Sequence, residues 1–402
     1  MSAPSPARAA LGAELAGELE AMRAAGTLKS LRVYESPQGP EVRLRGIGEV
    51  LVLSSNDYLG LAAEPRVVEA GIEALRAYGA GTASVRFICG LFEPHLELER
   101  DLAAFLGSEA ALTFTSCWNA NHAILDALCD ERTHVFSDAL NHASIIDAMR
   151  LARPGAKTVY PHADMAALEQ ALAGAEDAGR RLIVSDGVFS MEGDLAPLPE
   201  LVELARRHDA VLILDDSHGL GVMGASGRGT AEHFGLHGEV DVVTGTLGKA
   251  LGGGAGGFVA GDRTLCEVLE QRSRPQLFSN GLPPTVAASA RQALAELRER
   301  PQLVARLHQN TVRFRELLTD AGLAPLPGES AIVPIVVGET ARAIAASQRL
   351  LEQGIFVTGF GYPVVPEGTA RIRAQISAAH EPHHLERAVA ALRRATSRGD
   401  AS

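Results

Sequence analysis

The sequence predicts an α/β protein: a large domain with a mainly parallel seven-stranded sheet between helices, a smaller α+β C-terminal domain and a short N-terminal segment. Three observations lead there. Seven short apolar runs between residues 111 and 260 alternate with helical patterns, the signature of a parallel sheet covered on both faces. One of them, Val211-Leu212-Ile213-Leu214, is apolar throughout and ends in the polar cluster Asp215-Asp216-Ser217-His218. After about Pro283 the pattern changes to long helices over a few late strands.

In chain order, Leu11, Leu15, Leu19 and Met22 recur at helical spacing and predict a surface helix over Pro6–Thr27. Leu31–Val52 alternates and turns like a small sheet. It ends in Ser54-Ser55-Asn56-Asp57-Tyr58-Leu59-Gly60, a polar turn leading to a helix. The expected sheet strands are Ala111–Phe114, His134–Ser137, Thr158–Tyr160, Leu182–Ser185, Val211–Asp215, Val240–Thr244 and Gly257–Ala260. Helical patterns such as Leu96–Phe105 and Leu198–Arg207 fill the intervals. A long helix runs from Pro283 through Leu297, and Ile332–Val337, Ile355–Thr358 and Ala370–Ile376 read as later strands. The chain from about Thr396 is expected to fray. The implied domains are 1–55, 56–290 and 291–402.

The 402 residues carry a net charge of −12 and no basic stretch, which argues against a non-specific nucleic-acid binder. The four cysteines (Cys89, Cys117, Cys129 and Cys266) form no CxxC pair and no zinc spacing, so no metal site is expected. Glu14, Glu18 and Glu20 break the N-terminal apolar pattern, which therefore is not a signal peptide, and no run reaches membrane-spanning length. A cytoplasmic protein is the simplest expectation.

Chemistry concentrates in Thr244-Gly245-Thr246-Leu247-Gly248-Lys249-Ala250-Leu251-Gly252-Gly253-Gly254. Small residues let other atoms approach the backbone, and a lysine enclosed there loses proton affinity and becomes a nucleophile. Asp215, Asp216 and His218 end a parallel strand, where open α/β sheets bind ligands; a carboxylate there can hold a cationic ring nitrogen. Thr115-Ser116-Cys117-Trp118-Asn119-Ala120-Asn121 opens a helix whose free N–H groups suit a phosphate, although an ordinary N-cap reads the same way. His142 follows a strand, and Arg373 could clamp a carboxylate. Gly219-Leu220-Gly221-Val222-Met223-Gly224 matches the dinucleotide fingerprint GxGxxG, but two aspartates precede it and a loop follows, so it reads as a decoy. A lysine, a carboxylate, histidines, a phosphate cradle and a carboxylate clamp together are the inventory for pyridoxal phosphate.

Longer stretches carry a family likeness: Ala83–Gly90, Ser137–Asp147, Thr244–Gly254, Gln271-Arg272-Ser273-Arg274-Pro275 and Val357-Thr358-Gly359-Phe360. From about Arg32 to His380 the chain resembles the α-oxoamine synthases of the fold-type I pyridoxal-phosphate enzymes, and most of all their branch that condenses glycine with acetyl-CoA. The resemblance implies 2-amino-3-oxobutanoate and coenzyme A as products, or the reverse cleavage in threonine breakdown. It implies that Lys249 holds pyridoxal phosphate as a Schiff base and moves the substrate proton, that Asp215 pairs with the ring nitrogen, and that His142 stacks on the ring. His218 and Ser190 are implied near the ring oxygen, and Ser116, Cys117, Trp118 and Thr246 at the phosphate. Ser279 is implied to reach the cofactor of the neighbouring subunit in a homodimer. Asn56 and Arg373 are implied to hold the amino-acid carboxylate, and Arg32 and Arg86 to lie toward the acyl-CoA.

Three departures bear on the substrate. Leu91-Phe92 and Trp118-Asn119 stand where that branch has Thr-Gln and Phe-Asp, and Gly219-Leu220 after His218 is nearer the oxononanoate-forming branch. Another α-oxoamine synthase, with a longer acyl donor and loss of CO2, is the alternative. A catalytically silent partner subunit is disfavoured because Lys249 is present, and a nicotinamide dehydrogenase rests on the decoy alone.

Overall fold

The computed structural model describes residues 5–25, 27–28 and 31–396. The expected fraying beyond Thr396 lies outside them, as does Gly26 in the expected first helix. That helix spans Pro6–Ala24, capped by Ser5, and every residue of it is exposed.

Strands β1 (Glu41–Leu44) and β2 (Gly48–Val52) form a hairpin. The central sheet is built from β3 (Ala110–Phe114), β4 (Thr133–Asp138), β5 (Ala156–Tyr160), β6 (Arg180–Asp186), β7 (Ala210–Asp215), β8 (Val242–Thr246) and β9 (Gly257–Gly261). Its order is β3-β9-β8-β7-β6-β4-β5. The β5-β4-β6-β7-β8 pairs are parallel and β9 runs antiparallel to both its neighbours, so the sheet is mainly parallel as expected. The run read as Val240–Thr244 is displaced by two residues, because Val242 is the first to pair with β7 and Thr246 still pairs with β9.

Both faces of the sheet are buried, which explains why its strands lack alternation. Leu182, Val184 and Ile213 pack with the helices Cys117–Leu128 and Ala143–Ala152 on one face. Ile183, Leu212 and Leu214 pack with Leu168, Leu198 and Leu201 on the other. The third cluster carries the long helix Pro284–Glu299 and the C-terminal strands β10 (Ile332–Gly338), β11 (Ile355–Phe356), β12 (Thr358–Phe360) and β13 (Ala370–Gln375).

One expected strand divides. Ile355–Phe356 pairs in parallel with β2, whereas Thr358–Phe360 pairs with β13, so a single run feeds two sheets around the buried Val357. The late part of the chain thereby completes the N-terminal sheet. His380 ties the same junction: its Nδ1 accepts from the Ser377 N–H at 3.1 Å and its Nε2 lies 3.0 Å from the Val52 carbonyl. A carbonyl needs a donor, so the ring is the neutral Nε2–H tautomer.

Burial depresses the pKa of His380 to about 4. An unfolded histidine titrates near 6.5, so between those values the unfolded chain binds a proton that the folded one refuses. Stability is complete above the unfolded pKa and is lost as pH falls toward the folded one, by roughly 2–3 kcal/mol on this group. Urea unfolding at pH 7.5 and 4.5 checks this. We expect His380→Gln to show a smaller pH loss than the unsubstituted chain; an equal loss refutes the assignment.

Candidate active site

A cavity of about 220 Å³ opens at the C-terminal ends of β4, β6, β7 and β8, lined by Ser116, Cys117, Trp118, His142, Ser144, Asp186, Val188, Asp215, Ser217, His218, Thr246 and Lys249. Strand direction explains the position: parallel strands deliver their polar ends and following turns to one edge.

Asp215 is 5% exposed, and its donors come from several elements. Asn121 Nδ2 donates to Oδ2 at 2.6 Å, the Ser217 N–H donates to Oδ1 at 3.0 Å, and the Cys117 thiol lies 3.7 and 3.8 Å from the two oxygens. Donors of this kind suit the ionised form. Asn121 is itself oriented, since Thr244 donates to its Oδ1 at 2.7 Å and its Nδ2 also reaches Ser144 Oγ at 2.9 Å. Burial pushes the Cys117 thiol well up, reinforced by the Asp215 charge, so it stays protonated.

Lys249 is partly buried in the turn after β8. Burial lowers its pKa, with Asp215 opposing. Desolvation therefore favours a neutral, nucleophilic amine. His142 caps the helix Ala143–Ala152, its Nδ1 accepting from the Ser144 N–H at 3.2 Å, and burial lowers its pKa too. Its ring meets Trp118 edge-on at 6.1 Å. His218 is held well below its usual value, by burial first and then by the Lys249 charge; its Nδ1 is 2.8 Å from the Tyr58 hydroxyl.

The helix start expected as a phosphate cradle borders the cavity. Ser116 caps the helix Cys117–Leu128 by accepting from the Asn119 N–H at 3.2 Å, which leaves the Cys117 and Trp118 N–H groups at the helix start beside the cavity. Thr246 accepts from the Gly248 N–H at 3.1 Å. Gly257 is required here because a Cβ would overlap the Cys117 backbone. Among the buried atoms without a partner are Oδ1 of Asp186, a residue that lines the cavity, and Arg373 Nε. Helix-terminal N–H groups, a carboxylate with a full donor set, a desolvated amine and an unpaired guanidinium fit pyridoxal phosphate.

Arg373 on β13 is 7% exposed, 5.9 Å from the Phe360 ring, and its charge acts on Lys249 and His218. Its strand neighbour Arg371 is instead spoken for, bonding Glu192 at 3.0 Å and the Met191 carbonyl at 3.1 Å. Asn56 lies close by, its Oδ1 accepting from Tyr58 and Gln375. Arg86 is engaged within the chain, its guanidinium bonding Glu99 at 2.6 Å and Glu270 at 3.2 Å. Arg32 is exposed, Ser190 is partly buried in the turn after Val188, and Ser279 is partly buried after the helix Arg274–Phe278; none of the three lines the cavity.

Sequence reasoning assigned no role to Asn121, Ser144, Asp186, Ser217, Tyr58 or Gln375. For Asp186 a signal existed: like Asp215 it ends an apolar strand, and the two are register partners. The GxGxxG string serves Asp216, whose carboxylate accepts from the Thr230 N–H at 2.7 Å and the Thr230 hydroxyl at 2.5 Å; a Cβ on Gly219 would overlap it.

Residues 48–392 match the aminotransferase class I and II family. The chain is 48% identical to an 8-amino-7-oxononanoate synthase of Geobacter sulfurreducens, over 94% of this chain and 97% of that one. It is 45% identical to the mitochondrial 2-amino-3-ketobutyrate coenzyme A ligase of Homo sapiens, over 94% and 90%. It superposes on a serine palmitoyltransferase solved with pyridoxal phosphate with a TM-score of 0.90 at 31% identity, covering 95% and 96%. The chain belongs to the aminotransferase class I and II family of pyridoxal-phosphate enzymes, as one of its α-oxoamine synthases. Among the described residues no helix is long and apolar enough to cross a membrane.

The chain has three lysines, Lys29, Lys157 and Lys249. Borohydride reduction of the cofactor-loaded protein followed by peptide mapping is expected to leave a pyridoxyl group on Lys249 alone. Label on Lys157, or label persisting in Lys249→Ala, contradicts the site.

Proposed function

We propose that the protein condenses glycine with acetyl-CoA to 2-amino-3-oxobutanoate and coenzyme A, or runs the reverse cleavage. The observation that carries this is the set of groups acting on Lys249: a desolvated amine that feels both the Asp215 carboxylate and the Arg373 guanidinium, whose Nε has no partner. Pyridoxal phosphate, when bound, supplies a conjugated ring that takes up the electron pair left at the amino acid's α-carbon.

The residues divide the remaining work. Asp215 would keep the ring nitrogen protonated, because its donors stabilise the charged carboxylate. Ser116, Cys117, Trp118 and Thr246 would hold the phosphate, and His142 would cover the ring. His218, kept neutral by burial, and Ser190 would serve the ring oxygen. Lys249 Nζ would hold the cofactor, accept the α-proton and return it. Arg373 would clamp the amino-acid carboxylate. The Asn56 amide oxygen is occupied by Tyr58 and Gln375, which leaves its Nδ2 to donate to the same carboxylate.

Ser279 follows Phe278, which is 72% exposed, outside this protomer's cavity. A second copy covering that face would bring Ser279 to the neighbouring site, so we propose a homodimer with shared sites, working in the cytoplasm. Arg32, exposed near the chain start, is left as a contact for the acyl-CoA. A longer acyl donor with loss of the carboxylate is the rival, favoured by the Geobacter relative and by Trp118 at the cavity rim.

Carboxyl-labelled glycine with a panel of acyl-CoA esters, the amino ketone trapped by reduction and weighed by mass spectrometry, separates the two. We expect a rate maximum at acetyl-CoA with the label retained; a long-chain maximum with label lost as CO2 selects the rival. Arg373→Ala is expected to raise KM for glycine by about 10- to 100-fold, the loss of a charge-assisted pair. An unchanged KM refutes the clamp.

A further inference from the structure

Asp186 ends β6 beside Asp215, its register partner at the end of β7. Asp215 has Asn121 and Ser217 as donors. Asp138, at the end of β4, is one residue out of that register and turns to the opposite face of the sheet, where it accepts from the Leu140 N–H at 2.8 Å, the Ala163 N–H at 2.9 Å and His162 at 3.0 Å. Asp186 itself is 3% exposed and takes a single donor, the His142 N–H, 3.1 Å from Oδ2. Its Oδ1 is buried without a partner, and the residue lines the cavity.

Two carboxylates side by side in one buried site disfavour each other's ionisation. Asp215 holds the larger donor set. The unpartnered oxygen of Asp186 beside it is where a proton resolves an otherwise unsatisfied atom. We propose that Asp186 is a positioning residue that works as a neutral acid, its Oδ2 holding the backbone of His142 and its protonated Oδ1 donating toward the cofactor bound in the cavity. This deepens the reading of the cavity as a pyridoxal-phosphate site and does not depend on the choice of acyl donor.

The electrostatics agree. Burial, and then the Asp215 charge, push the Asp186 pKa well up, with Asp138 acting in the same sense; the His142 N–H and the Lys249 charge oppose. His142, itself disfavoured as a cation by burial, brings no compensating charge from its helix. The functional consequence falls on Lys249. An ionised Asp186 would stabilise its ammonium form, so a neutral one helps to keep the amine free.

Infrared spectroscopy of the cofactor-loaded protein at pH 8 reads the proton directly. We expect the carbonyl stretch of an un-ionised carboxyl that disappears in Asp186→Asn and moves in Asp186→Glu. No such band, or one unchanged in both variants, overturns the proposal. Asp186→Glu alone decides the assignment should Asp186→Asn not fold. The visible absorption band of the bound cofactor gives a second readout. Its pKa should stay within about threefold in proton affinity in Asp186→Asn, since an amide mimics a neutral acid. A fall of tenfold or more would mean that a negative charge had been removed and also overturns the proposal. Failure to label Lys249 with borohydride would instead remove the cofactor reading, so the two failures are distinguishable.

Discussion

A charged carboxylate held at the end of a buried strand is the constraint on which this structure turns. Removing such a group from water costs several kcal/mol unless its oxygens meet donors. Asp215 meets them through Asn121 and the Ser217 N–H, each bond to a charge contributing about 1.5–3 kcal/mol. Asn121 sits on the helix Cys117–Leu128 and is oriented by Thr244 on β8 and Ser144 on the helix Ala143–Ala152. One amide thereby locks two helices to two strands. The same helix presents its first N–H groups to the cavity, and Gly257 lets that helix start press against β9. The helix start at the cavity and the donors of Asp215 therefore depend on one piece of packing.

The second constraint is the union of the early and late parts of the chain. β11 joins β2, His380 bonds Val52, and Gln375 bonds Asn56. These contacts tie β13 and the turn after it to the segment that carries Asn56. Of two arginines facing the same way along that strand, Arg371 is consumed by Glu192 and Arg373 is left without a carboxylate. Burying a cation with no carboxylate in bonding reach is costly, and the Glu192 charge that acts on Arg373 is itself bonded to Arg371.

The adjoining turn serves a different end. Asp216, with its pKa raised to about 6 by burial, is enclosed by Thr230 and by glycines that leave it room. The glycine pattern around it thus packs around a carboxylate of the chain itself, so the resemblance to a dinucleotide loop is coincidental in function. Identical spacing can meet opposite electrostatic demands, and the two aspartates before the string distinguish them.

Period and punctuation along the chain determined the sheet, its seven strands and the strand ends that carry Asp215 and Lys249, because a strand buried on both faces must be apolar throughout and must end where polarity returns. Lys249, His142 and the helix start at Ser116 were legible as local chemistry. What the sequence left open depends on contacts between distant segments. Arg86 and Arg373 are both arginines near family-like runs, yet Glu99 and Glu270 capture the first while nothing captures the second. Ile355–Thr358 read as one strand, and only separate partners divide it into β11 and the start of β12. Asn121 and Asp186 acquire meaning from what the fold places beside Asp215, since ionisation and hydrogen-bond satisfaction are properties of neighbours and not of residue type.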